Sequence, residues 1–240
     1  MSSAYLLLFH GSLDPRPQAS VERLAELVSQ SQALSKAMRV KPMVGTAALE
    51  LTSVPLHQQI AAFAARALAS GYDTVQLIPL FLLPGVHVME DIPQEVTLAQ
   101  QVIGEVGKIE LRPYLGNNPR LTQMLAIQIA AIKAEVWIIL AHGSRRAGSK
   151  QQVEAIATQL GAKTAYWAIP PSLPSRVQEL FSAGYRQIGI LPYFLFAGGI
   201  TDAIASSVAQ LRQQFPTTDL YLAEPLGANS QLADLIRDLL

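Results

Sequence analysis

LLLFHGS spans Leu6–Ser12, and IILAHGS spans Ile138–Ser144. Each is a short apolar run that ends in a histidine and a Gly-Ser turn, and the two lie about half a chain apart. Working outward, GYDTVQLIPLFLLPGVH (Gly71–His87) and RPYLGNNPRL (Arg112–Leu121) follow the first copy. GYRQIGILPYFLFAGG (Gly184–Gly199) and AEPLGANSQL (Ala223–Leu232) follow the second. The order is kept, so the chain is an internal duplication. His10 and His142 hold the same place in the repeat. His87 has no twin, because the matching stretch holds Gly199 and Ile200. Two related lobes are expected, and one of them carries the chemistry.

The runs themselves decide the fold class. Ala4–Phe9, Val44–Leu51, Thr74–Leu80 and Lys108–Leu111 recur as Val136–Ala141, Thr164–Ile169, Gln187–Leu191 and Asp219–Leu222. They are short and do not alternate, as expected of strands buried on both faces of a parallel sheet. Helix signals separate them. Asn118-Pro119 reads as a cap residue before a first-turn proline, and Ser53 and Ser172 each precede a proline by two positions. Gly71 and Gly184 follow helical stretches where a helix-terminating glycine belongs. The period is β-α, about four times per half. The fold class is therefore α/β, with two similar doubly wound parallel-sheet lobes, residues 1–133 and 134–240, joined near Ala131–Glu135. No Gly/Ser linker separates them, so the lobes are expected to face each other across a shared cleft.

Composition narrows the function. The chain has 240 residues, half of them apolar, and 18 basic residues balance 18 acidic ones. That balance carries no electrostatic footprint for nucleic acid or an anionic membrane. Cysteine is absent, which excludes thiolate nucleophiles, disulfides and Cys-held zinc or iron–sulfur centres. A metal would have to be held by His, Asp or Glu. The apolar start lacks a basic segment before it, and the run Leu77–Val88 is broken by Pro79, Pro84 and Gly85, so a cytoplasmic location is expected.

Ligands of open parallel sheets bind beyond the carboxyl ends of the strands. His10 ends the first strand, Glu50 closes the second, and His87 lies in the loop PGVHVMEDIP after the third. Two imidazoles and a carboxylate at one sheet edge make a metal-site constellation. A single histidine after a strand is more often a turn residue, and a single glutamate a solvated one; convergence favours the site for the histidines more than for Glu50. His57, at a polar helix start, reads as a surface histidine. His142 reads as a relic of the duplication.

HGS at the first strand end, PLFLLPGVHVMEDIP in the first half and LPYFLFAGGITDAI in the second closely resemble the CbiX/SirB-type sirohydrochlorin chelatases, in the long form with fused halves. The resemblance covers almost the whole chain. It implies insertion of Co2+ or Fe2+ into sirohydrochlorin without ATP, with no permanently bound cofactor and the divalent metal as substrate. It places the family's functional histidines on His10 and His87, and its acidic helper on Glu50.

That chemistry suits the residues. Insertion exchanges a divalent cation for two pyrrole protons, and imidazole can hold a metal or accept a proton near neutrality. The substrate carries many carboxylates, so Arg145, Arg146 and Lys150 after the second HGS, and Arg16 after the first, are candidate partners, with Ser12 and Ser144 in the turns themselves. The arginines and lysine read equally well as ordinary surface charge. Leu82, Leu83, Phe194 and Phe196 could cover the macrocycle, although core packing suits them better. A non-catalytic two-lobed tetrapyrrole or small-molecule binder is the alternative. A hydrolase using Ser12 or Ser144 ranks last, since neither lies in a G-x-S-x-G turn. The expected active form is a monomer with lobes related by a pseudo-twofold axis.

Overall fold

The stretch before the first histidine forms β1 (Ser3–Phe9), buried from Ala4 to Phe9. A strand with no exposed face must sit inside a sheet covered on both sides. In the computed structural model, which describes residues 3–30, 42–104, 107–144, 148 and 150–240, it does. β2 (Val44–Ala48), β3 (Thr74–Pro79) and β4 (Lys108–Leu111) complete a parallel sheet in the order β2-β1-β3-β4. α1 (Pro15–Ser29) follows β1, and α2 (Leu56–Ala69) follows β2. A π-helical turn, His87–Asp91, leads into α3 (Ile92–Ile103) after β3. α4 (Arg120–Ala130) follows β4.

The second half repeats the plan. β5 (Val136–Ala141), β6 (Lys163–Tyr166), β7 (Gln187–Pro192) and β8 (Asp219–Leu222) form a parallel sheet in the order β6-β5-β7-β8. α5 (Gln151–Gln159), α6 (Leu173–Ser182), α7 (Gly199–Gln214) and α8 (Ser230–Arg237) follow these strands in turn. This is the expected pair of doubly wound α/β lobes. Among the described residues no helix is long and apolar enough to cross a membrane.

The helix signals hold in part. Ser172 Oγ accepts from Ser175 N–H at 3.3 Å, with Pro174 in the first turn. Gly71 and Gly184 take φ of 85° and 96° just past their helices, the left-handed conformation a glycine tolerates. Pro55 rather than Ser53 occupies the cap position of α2, and Pro119 rather than Asn118 that of α4. Asn118 is buried and its side-chain amide donates to Leu235 O at 3.0 Å. Two strands stop three residues before the ends of their apolar runs. β2 stops at Ala48 and β6 at Tyr166, because the chain then bends across the adjoining strand end instead of extending the ladder.

The chain forms two compact units that cut the repeat unevenly: Met1–Asn118 with Ala228–Leu240, and Pro119–Gly227. The repeat boundary at 133/134 thus differs from the division by packing. The physical cause lies in the last helices. In the first unit α8 packs on α1, buries Leu232, Leu235 and Ile236, and leads into Leu239, whose carbonyl accepts from Arg112 Nε at 2.6 Å. Each buried leucine or isoleucine contributes about 1.5–3 kcal/mol. α4, though it follows β4, belongs to the second unit, where Gln128 Nε2 donates to Glu224 O.

In the first unit α2 and α3 cover one face of the sheet, where Ile60, Phe63 and Ile92 meet Leu6, Leu8 and Leu77. The order β2-β1-β3-β4 runs to one side of β1 and then returns to the other. The reversal opens a crevice beyond the ends of β1 and β3, where such folds bind ligands.

Candidate functional site

His10 leaves the end of β1, and the turn after it depends on Gly11. Its φ is 96°, and a Cβ there would lie 2.0 Å from Glu50 O. Glycine therefore lets the first loop press against the second. Leu49 N–H donates to Phe9 O and Glu50 N–H to His10 O, each at 2.9 Å. These bonds zip the chain beyond β2 to the end of β1 and bring Glu50 beside His10. Glu50 thus lies two residues past the strand it was expected to close, yet still at the same edge.

His87 arrives from β3. Pro93 has no N–H and cannot continue an i→i−4 ladder, and just before it Ile92 N–H bonds to His87 O in the wider i→i−5 pattern. The resulting turn carries His87 to the mouth of the crevice. There the rings of His10 and His87 stand 4.9 Å apart, nearly perpendicular at 83°. His10 Nε2 lies 3.9 Å from Glu50 Oε2, and His87 Nδ1 lies 3.9 Å from Glu50 Oε1. A ligand atom from each residue falls within 4.8 Å of the others. The three expected metal-site residues do converge.

Hydrogen bonds orient both imidazoles. His10 Nδ1 lies 3.1 Å from Gly11 O, and His87 Nδ1 lies 2.7 Å from Asp91 Oδ2. A carbonyl or carboxylate can only accept, so each Nδ1 carries the proton and each Nε2 presents its lone pair. This is the usual arrangement behind a metal-binding histidine, in which an outer partner fixes tautomer and ring angle. Asp91 was not singled out from sequence. Its signal was the i,i+4 spacing from His87 on a helical turn. Phe81, 6.3 Å from the His87 ring, lies behind the site.

Two ligands about 2.1 Å from one ion lie roughly 3.4 Å apart in a tetrahedral site. The trio is looser than that and open, with side-chain exposures of 51% for His10, 49% for Glu50 and 33% for His87. An ion could be gathered there by small side-chain rotations and handed on without dismantling a closed shell.

The other sequence candidates fall elsewhere. Ser12 Oγ accepts from Asp14 N–H at 3.0 Å, a helix-start contact rather than a nucleophile's contact with histidine. Arg16 pairs with Asp14, whose carboxyl it holds below the usual carboxylate range. Lys150 Nζ donates to Pro170 O at 2.9 Å and lies 5.1 Å over the Tyr166 ring. Leu82 is buried, Leu83 and Phe196 are half-buried, and Phe194 packs against the core of the second unit. Ser144 and His142 are exposed after β5. Arg145 and Arg146 lie outside the described residues. His57 is not a free surface histidine: Glu95 Oε2 lies 2.9 Å from its Nδ1 and accepts its backbone N–H at 2.6 Å, joining α2 to α3.

Known proteins resemble the chain over most of its length. The family model CbiX matches residues 4–132 and again 136–240. A sirohydrochlorin ferrochelatase of Priestia megaterium is 26% identical over 204 residues, 78% of this chain and 73% of that protein. A sirohydrochlorin cobaltochelatase of the same organism is 23% identical over 71% of this chain and 60% of that protein. The solved chelatase SirB of Bacillus subtilis subspecies spizizenii, in complex with cobalt, superposes with a TM-score of 0.74 at 20% identity, over 100% of this chain and 94% of that one.

Proposed function

The chain belongs to the CbiX family, and on that premise we propose that it is a sirohydrochlorin metal chelatase that inserts Co2+ or Fe2+ without ATP. The observation that carries this reading is the His10–Glu50–His87 cluster at the β1/β3 crevice, with both Nε2 lone pairs left free by outer hydrogen bonds.

The reaction takes one divalent ion into the macrocycle and releases two pyrrole protons. His10, Glu50 and His87 gather the incoming ion. As it passes to the ring nitrogens, the freed imidazole lone pairs and the Glu50 carboxylate are the nearest bases for the departing protons. Asp91 steadies the His87 ring and holds it with Nε2 directed away from the carboxylate. The donor set is imidazole and carboxylate without thiolate, which suits passage of a borderline divalent metal better than its retention. A purely binding function has no use for two imidazoles oriented in this way, which disfavours the binding-protein alternative.

His10, Glu50 and His87 all lie in one chain and within one compact unit, which supports a monomeric active form; a solution mass measurement checks this point. The function is tested by mixing protein, sirohydrochlorin and Co2+ or Fe2+ without nucleotide and following the visible spectrum. Conversion faster than the protein-free rate is expected. A rate equal to the protein-free control for both metals overturns the reading.

A further inference from the structure

Eleven large apolar side chains are exposed among the described residues, and five of them sit on the loops that carry the metal-site residues. Leu13 follows the His10-Gly11-Ser12 turn and is 86% exposed. Leu51 and Val54 follow Glu50. Val86 and Met89 flank His87, three residues apart on one helical turn and therefore neighbours in space. These loops leave the same edge of one sheet, and each of the three carries both a residue of the polar trio and exposed apolar side chains within a few positions of it.

Leu51 adds an independent sign. Among the described residues it is the only non-glycine with positive φ, at 55°, and its side chain is 58% exposed. A bulky residue in the left-handed region is strained, and glycine would fit there without strain. The fold thus holds an apolar side chain out into water, next to Glu50, in a conformation that a smaller residue would relieve. Strain of this kind concentrates where a ligand is met.

We infer that Leu13, Leu51, Val54, Val86 and Met89 form a seat for the flat apolar face of a tetrapyrrole, centred over His10, Glu50 and His87. This rests on the chelatase reading and assigns the substrate contacts it leaves open. A macrocycle lying on this border covers apolar surface that the free protein exposes, and its ring nitrogens come to rest above the metal-gathering trio. Its carboxylate chains project past the border into water or towards cations. The border thereby sets affinity for the ring, while the trio sets affinity for the ion. Leu82 and Leu83, the apolar residues that the sequence pointed to, lie further inside.

The test titrates metal-free sirohydrochlorin into wild type, Leu51→Gly, the triple variant Leu13→Ser/Leu51→Gly/Met89→Ser, and Val102→Ser. The last lies near the far end of α3 and is 65% exposed. Co2+ affinity and melting temperature are measured in parallel. Leu51→Gly should melt no lower than wild type and bind the macrocycle several-fold more weakly. The triple variant should raise Kd about tenfold or more, and Val102→Ser should stay within about twofold. Co2+ affinity should be unchanged throughout. Equal macrocycle binding by wild type and the triple variant overturns the seat alone, as does a parallel loss of Co2+ affinity. No macrocycle binding by wild type overturns the chelatase reading and the seat together.

Discussion

The segments after β1, β2 and β3 carry His10, Glu50, His87 and Asp91, whereas those after β5, β6 and β7 carry His142, Ala168, Ile200 and Ile204 at the matching positions. The backbones agree. Glu50 N–H bonds to His10 O at 2.9 Å, and Ala168 N–H bonds to His142 O at 2.9 Å. Leu80 N–H bonds to Leu8 O at 2.7 Å, and Tyr193 N–H bonds to Leu140 O at 2.8 Å. Gly11 and Gly143 both take positive φ, each against the neighbouring loop. What differs is the side chains, and Ile204 has joined the core of the second unit. The shared loop backbone is thus a property of strand order and one glycine turn, and it is kept where the side chains differ.

The largest effects are expected from substitutions in the first copy. His10→Ala and His87→Ala should each lower metal insertion about a hundredfold or more while the fold is kept. The double variant should be little worse than the poorer single one, because residues that act as a unit are not additive. Steady-state rates with circular dichroism as a folding control check both points. Asp91→Ala should cost about 10- to 100-fold in metal affinity or rate. Asp91→Asn, whose Oδ1 can still accept the Nδ1–H bond, should recover most of the loss. Equal damage by Asn and Ala would mean that Asp91 acts through its charge and not as an orienting acceptor.

The second copy should gain metal binding when the side chains it lacks are introduced. Ala168 and Ile200 are exposed, so Ala168→Glu/Ile200→His should fold and add a second, weaker Co2+ site beside His142, detectable by calorimetry. It should be weaker because Ile204 offers no acceptor for the new imidazole. His142→Ala in the native chain should keep the insertion rate within about twofold. The smallest expected difference lies at the strand starts. Glu135 accepts from Arg186 N–H at 2.7 Å and Gln187 N–H at 2.9 Å, bonds that hold its carboxyl below the usual carboxylate range. The first copy has Ser3 there. A lowered folded-state pKa contributes stability above the unfolded carboxylate range, and that contribution is lost as pH falls through the folded value. Glu135→Gln should therefore narrow the drop in melting temperature on acidification, by a small margin because the group is exposed.

Much of this was legible in the sequence, because the apolar runs and the repeated turns are local signals. β1 and β5 were buried runs ending in His-Gly-Ser, and both formed as read. Glu50 was placed at the right edge and after the right strand, but two residues beyond that strand's end, since an apolar run does not reveal where a ladder gives way to a bend. Asp91 was missed because its role depends on a π-helical turn created before Pro93. The placement of α4 and α8 was out of reach for a different reason. Both helices have suitable apolar faces, and nothing local states which sheet each one covers. Leu51 is the clearest case: strain in the left-handed region appears only once φ is known.

Only one copy of the duplicated site is expected to handle the metal. Calorimetric titration of Co2+ into the wild-type chain, His87→Ala and His142→Ala tests it most directly. A single Co2+ should bind per wild-type chain, lost in His87→Ala and unchanged in His142→Ala. Two equivalent sites in the wild type, or loss of binding in His142→Ala, would contradict it.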